Sequence, residues 1–191
     1  MLRTRYDCHA RIDYFDLARP YIAASNLERE WYKRRRIPNP ETVAQHQMDA
    51  ALLVMDFSRE IEKLWVNIHI IQDTLLIHDL AEPDPRVQDR TPHDRYDRWE
   101  HRRNEEMVIR EILSHRPELI EFWLDMEDGR TQEWRLWMEF DKLQAILKAR
   151  KYEDRQGKVW LTQEFFTHSV VQAKQITTAF LVQKAMEAMK W

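Results

Sequence analysis

Residues His78, Asp79 and Glu82 stand inside the segment "LLIHDLAEPDP", directly after the apolar run Leu75, Leu76, Ile77. An imidazole and two carboxylates in such a setting each cost roughly several kcal/mol to bury without a partner. Two other segments pose the same problem. His46 falls between Val43 and Ala50 in an apolar stripe, and Asp141 falls between Met138 and Ala145 in a broad apolar arc. A divalent cation is the single partner that satisfies all of them. Two imidazoles and two carboxylates form a mixed nitrogen and oxygen set suited to manganese, cobalt, iron or zinc, with positions left for water and a substrate. Glu82 follows His78 by about one helical turn and would project near the same cavity. Taken singly, each residue is adequately explained as a hydrogen-bonded core or surface group. Their recurrence in three apolar segments is what points to a shared ion.

Elements of matching periodicity must position these groups. The chain has 191 residues and only two glycines, Gly129 and Gly157, too few for the turns of hairpins or sandwiches, while helix formers are abundant. The expected fold class is therefore all-α. The spacing predicts a helix over residues 11–26 kinked or broken at Pro20, then a loop through "EREWYKRRRIPNP". A long apolar stripe follows from Val43 to Leu64, and a second helix carries Ile70 to Glu82, where Pro83 and Pro85 prevent continuation. After the loop "EPDPRVQDRTPHD" come a charged helix over 94–114, a helix over 119–126 ending near Gly129, a central helix over 132–153, and a last helix or helix pair over 164–189.

Thirty basic residues against 33 acidic ones give a formal charge of −3, so no general field favours DNA, RNA or anionic lipid. Lys33, Arg34, Arg35 and Arg36 form the one dense basic cluster, read either as a solvated loop or as a phosphate-recognition element. Arg102 and Arg103 could reach phosphate, although a charged helix face explains them equally well. His69, His93, His101, His115 and His168 lack ligand context and are expected in surface or structural roles, while Trp134 and Trp137 fit helix packing. Cys8 is the sole cysteine, which rules out an internal disulfide and a cysteine-built zinc site and suits a reducing compartment. With neither a signal-peptide core nor a stretch approaching ~18 apolar residues, the expected setting is cytoplasmic, without a membrane partner.

The segments "PETVAQH", "LLIHDLAE", "WEHRRNEE", "DKLQAILKARKYE" and "LTQEFFTHS" occur in an order that resembles the HD-domain metal-dependent phosphohydrolases. More narrowly, the sequence is similar to the small HD-domain 5′-deoxynucleotidases from about Phe15 to Ser169. The resemblance implies a compact multi-helix HD fold, a single domain over 1–191 with its core at about 15–169. It also implies one divalent metal ion held by His46, His78, Asp79 and Asp141, and a deoxyribonucleoside 5′-monophosphate as substrate. By the same resemblance Glu82 positions or deprotonates the nucleophilic water, and Asp89 assists proton transfer or holds the leaving ribose oxygen. Arg29 neutralises phosphate, Trp31 shapes the sugar and base pocket, and the family suggests a homodimer.

Two departures fall near the chemistry. The family usually follows its HDxxE with a short segment ending in Gly-Asp, whereas here "PDPRVQD" has no glycine and about two extra residues, so Asp89 competes with Asp84 for that position. The spacing of Arg29 and Trp31 also differs slightly from the usual one. A deoxynucleoside triphosphate triphosphohydrolase of the dATP-cleaving kind, releasing triphosphate, is the alternative enzyme. A nucleotide-binding module on the same scaffold is the non-catalytic one.

Overall fold

A computed structural model describes residues 14–91, 94–129, 131–157, 160–172 and 174–190. Cys8, Ile12 and His93, together with the side chains of Phe15 and Leu17, lie outside the described residues. Ten α-helices follow in order: α1 Tyr14–Asn26, α2 Glu30–Arg34, α3 Val43–Asp56, α4 Ser58–Glu62, α5 Ile68–Ile77, α6 Arg98–Ile112, α7 Pro117–Asp128, α8 Gln132–Gln156, α9 Leu161–Phe166 and α10 Ala179–Ala188. A π-helical turn, Thr167–Gln172, extends α9. The described residues contain no strand, only one isolated antiparallel bridge between Glu28 and Thr42. No described helix is long and apolar enough to cross a membrane.

Helices α3, α5 and α8 pack mutually and form the centre. The stripe that identifies α3 buries Val43, His46, Gln47, Ala50, Ala51 and Val54, and its start is fixed by a capping box in which Thr42 and Gln45 satisfy each other's backbone N–H groups. Helix α8 buries residues over a wide arc, from Leu136 and Phe140 through Asp141, Leu143, Gln144 and Ile146 to Tyr152. Burial on this scale identifies it as the central helix, each large apolar side chain contributing about 1.5–3 kcal/mol. Gly129 and Gly157 end α7 and α8 in the left-handed conformation, with φ of 68° and 66°.

Three local expectations are corrected. The segment "EREWYKRRRIPNP" is not a loop: it contains α2, which buries Trp31 and Tyr32. Arg36 then turns left-handed at φ 53°, and Ile37 N–H donates to the Tyr32 carbonyl, folding Ile37 back into the interior. The stripe from Val43 to Leu64 breaks at Phe57 into α3 and α4. The helix expected over 70–82 ends at Ile77. Proline at 83 would clash with the Asp79 carbonyl, so residues 78–87 instead run through tight turns, with Glu82 N–H on the Asp79 carbonyl and Asp84 N–H on the Ala81 carbonyl. Helix α1, by contrast, continues through Pro20.

Candidate metal centre and substrate cavity

His46 comes from the first turns of α3, His78 and Asp79 from the turn closing α5, and Asp141 from the middle of α8. One ligand atom from each of His46, His78 and Asp79 fits within a 4.8 Å cluster that could hold a metal ion. Asp141 Oδ1 lies 2.8 Å from His46 Nε2 and 3.8 Å from His78 Nε2. The Nε2 atoms of His46 and His78 stand 3.8 and 3.2 Å from Asp79 Oδ2.

The far side of each imidazole is fixed by a carbonyl oxygen. His46 Nδ1–H donates to Gln144 Oε1 at 2.6 Å, and His78 Nδ1–H donates to the Leu75 backbone carbonyl at 2.8 Å. Because a carbonyl only accepts, Nδ1 carries a proton in both rings, so each ring in its neutral form turns its Nε2 lone pair inward. His78 Nε2 is buried and makes no hydrogen bond of acceptable geometry. Burial alone would depress the His78 pKa, yet the Asp79 and Asp141 carboxylates outweigh it and raise the pKa to about 10. The site therefore favours positive charge at that point. Two inward lone pairs and two carboxylates are the donor set of a divalent cation, and these residues could hold one.

Arg29 caps this cluster. Its backbone N–H donates to the Glu41 carbonyl just before α3, which brings the guanidinium against the turn after α5. Nη1 lies 2.8 Å from Asp79 Oδ2 and 3.0 Å from Glu82 Oε2, and Nε lies 3.8 Å from Asp89 Oδ2. Burial, reinforced by Asp79, pushes the Glu82 carboxyl well above the usual glutamate range despite Arg29. Burial also raises Asp89, again against Arg29. Asp141 goes the other way: burial is outweighed by Lys142, His46 and His78, which hold it well below the usual range.

A cavity of about 380 Å³ opens beside the cluster, lined by Arg29, Trp31, His46, Asp89, Asp141 and Lys142, with Arg90, Tyr96, Arg98, Phe165 and His168 farther round its wall. Asp89 also accepts the Glu30 N–H at 2.6 Å at the start of α2. Asp84 is absent from this lining and is gripped by Arg86 at 2.8 Å, so the geometry separates the two competing aspartates. Trp31 is buried, with the Arg35 guanidinium 4.1 Å above its ring and the Phe165 ring centroid 4.8 Å away. It therefore offers the cavity an edge more readily than an open face.

The basic cluster is engaged elsewhere. Lys33 pairs with Glu30, Arg34 with Glu30 and Asp94, and Arg35 with Glu164. None of these three lines the cavity that contains His46. His168, expected in a surface or structural role, stands on the cavity wall in the π-helical turn. Arg102 and Arg103 are not part of that wall. Sequence reasoning passed over Lys142, whose Nζ is 2.6 Å from Asp141 Oδ2, and Gln144. Both follow Asp141 within one helical turn, a spacing that could have drawn attention to them.

Known proteins share the fold and part of the sequence. Two solved structures of archaeal proteins share the fold: a conserved hypothetical protein from Pyrococcus furiosus, at a TM-score of 0.74 and 21% identity over 93% of this chain and 99% of that one, and a Pyrococcus horikoshii protein at 0.74 and 20% over 92% and 98%. A Danio rerio protein named 5′-deoxynucleotidase HDDC2 is 31% identical over 137 residues, 69% of this chain and 66% of its own length. The Dictyostelium discoideum protein of that name is 31% identical over 141 residues, 66% of this chain and 70% of its own, and the Homo sapiens one 29% over 137 residues, 69% and 64%. The HD domain family itself matches residues 25–183, a stretch that includes His46, the His78–Asp79 pair and Asp141, and this chain belongs to that family.

Proposed function

We propose that this chain is a metal-dependent phosphohydrolase that removes phosphate from deoxyribonucleoside 5′-monophosphates. The observation that carries the reading is the pair of imidazoles turned inward beside Asp79 and Asp141, with His46 and Asp141 on the wall of a cavity large enough for a mononucleotide. The names of the relatives support the substrate class.

His46, His78, Asp79 and Asp141 would hold a divalent cation of the manganese, cobalt, iron or zinc type, which would supply Lewis-acid charge toward a phosphoryl oxygen. Glu82, with its raised carboxyl, takes the proton of the attacking water, a task for which a pKa nearer neutrality is suited. Water adds to phosphorus, the bond from phosphorus to O5′ breaks, and the products are inorganic phosphate and a deoxyribonucleoside. Asp89 is placed to pass a proton to the leaving O5′. Arg29 keeps Asp79, Glu82 and Asp89 together and faces the cavity. Lys142 provides a second cation on that wall for the phosphate, while Trp31 bounds the sugar. A cytoplasmic setting and a homodimer remain parts of the same reading.

Product analysis tests it: dAMP with manganese or cobalt should release inorganic phosphate. Release of triphosphate from dATP, with dAMP left intact, would replace this reading with the triphosphohydrolase one. The ion pairs of the basic cluster favour the monophosphate. Replacing Arg34, Arg35 and Arg36 together by glutamine should leave dAMP turnover within about threefold once folding is verified, because none of the three lines the cavity.

A cation bound only by the folded chain stabilises it by mass action. Loading metal-stripped protein to a hundredfold excess over Kd should raise the melting temperature by about 5–10 °C. An unchanged melting temperature in protein shown to have lost and regained metal would contradict the site.

A further inference from the structure

Behind His46, away from the cavity's centre, a buried polar chain runs toward the surface. Gln144 and Glu41 are both about 3% exposed. Gln144 Oε1 accepts from His46 Nδ1–H at 2.6 Å, and its amide Nε2 donates to Glu41 Oε2 at 2.9 Å. Lys148 Nζ lies 3.0 Å from that same Glu41 oxygen and 2.6 Å from Asp49 Oδ2, next to a surface cavity of about 240 Å³. The Glu41 backbone N–H is held by the Tyr152 hydroxyl at 2.7 Å.

The chain has a polarity. An ionised carboxylate only accepts, so Glu41 draws the NH₂ end of the Gln144 amide toward itself. The amide oxygen is thereby left facing His46, where it can only accept, so the imidazole proton is held on Nδ1. The inward Nε2 is then available to a cation. We infer that Gln144, oriented by Glu41 and Lys148, is a positioning residue that sets the tautomer of His46 and with it the cation affinity of the site. This rests on the reading of His46 as a ligand.

The test measures cation affinity by competition with a chromophoric chelator, using zinc and manganese, on folded protein. Gln144→Leu keeps the approximate shape and removes both hydrogen bonds, and should weaken the affinity 10- to 100-fold. In the zinc-loaded protein, the Nδ1-bound proton of His46 should be visible in the imidazole NMR spectrum of the wild type and lost to exchange in Gln144→Leu. Gln144→Glu alone sets two carboxylates against each other and should weaken affinity as well. The double variant Glu41→Gln with Gln144→Glu restores the donor and acceptor where residues 41 and 144 meet: residue 144 accepts from His46 and from the amide of residue 41, while Lys148 gives up its contact with that atom and keeps the one with Asp49. It should recover affinity to within about threefold of wild type, a rescue that a mere packing role would not produce. Should Gln144→Leu fail to fold, the comparison of Gln144→Glu with the double variant decides the matter alone. Wild-type affinity in folded Gln144→Leu, or a double variant no better than Gln144→Glu, would overturn the inference. Wild-type protein that took up no cation would overturn the reading of the metal centre itself.

Discussion

Arg29→Ala is expected to reduce phosphate release from dAMP by at least about 10³-fold and to destabilise the fold, because one guanidinium holds three carboxylates together. Removing the cation from a buried ion cluster costs about 3–5 kcal/mol, since the remaining charges keep their desolvation penalty and lose their counter-charge. The penalty carries a pH signature. Without Arg29, Asp79, Glu82 and Asp89 crowd one another: the raised carboxyls of Glu82 and Asp89 move further above their unfolded values, and Asp79, held below the usual range by His78 and Arg29, loses part of that support. The folded variant then binds more protons than the unfolded chain, so its stability falls as pH rises through those folded values. With chelator present, the melting-temperature gap between wild type and Arg29→Ala should therefore be wider at pH 8 than at pH 5. A gap that is constant with pH would show that Arg29 acts by packing alone.

Glu82→Gln and Asp141→Ala should separate proton transfer from cation binding. Glu82 is held by Arg29 and contacts neither imidazole, whereas Asp141 contacts His46, so the Glu82→Gln variant should retain its metal while kcat falls about 10²- to 10⁴-fold. Asp141→Ala removes the oxygen 2.8 Å from His46 Nε2 and should lose both metal and turnover. The pH profile adds a second reading. A base works only when deprotonated, and burial with Asp79 nearby raises the Glu82 pKa. The acid limb of kcat/KM against pH should thus lie above the ordinary glutamate range and disappear in Glu82→Gln. Near-normal turnover in Glu82→Gln would remove this residue from the chemistry, and metal retained at wild-type affinity by Asp141→Ala would remove that one from the site.

Helical periodicity made His46 and Asp141 legible, because an ionisable group on an apolar face of a long helix stands out against its neighbours at three and four residues. The His78–Asp79 pair stood out equally, although the proline at 83 moves it from a helix into a turn. Helix α2 was hidden. The basic residues at its end read as a solvated loop or a phosphate-recognition element, and the reversal that buries Ile37 uses a left-handed Arg36 where a glycine would have announced it. Asp89 and Asp84 could not be ranked along the chain, since the distinction comes from an Arg86 side chain folded onto one and a helix start pressed against the other. Gln144 and Glu41 left no signal of their own. A glutamine on a helix and a glutamate before one suit solvent as well as core, and only their meeting across 103 positions gives them meaning.

That separation bears on how the protein is made. His46 and Asp141 meet across 95 positions, and Arg29 and Asp79 across 50, so no short stretch of nascent chain contains the metal centre. The loops enclosed by these contacts must close, and α3 must dock on α8, before His46 and Asp141 can share an ion. A cation bound as proposed would thus load late on the folding route, and its main effect would fall on the rate of unfolding rather than on the rate of folding. A cell short of the cation would still produce the folded chain, though one that opens more readily and is cleared sooner by proteases.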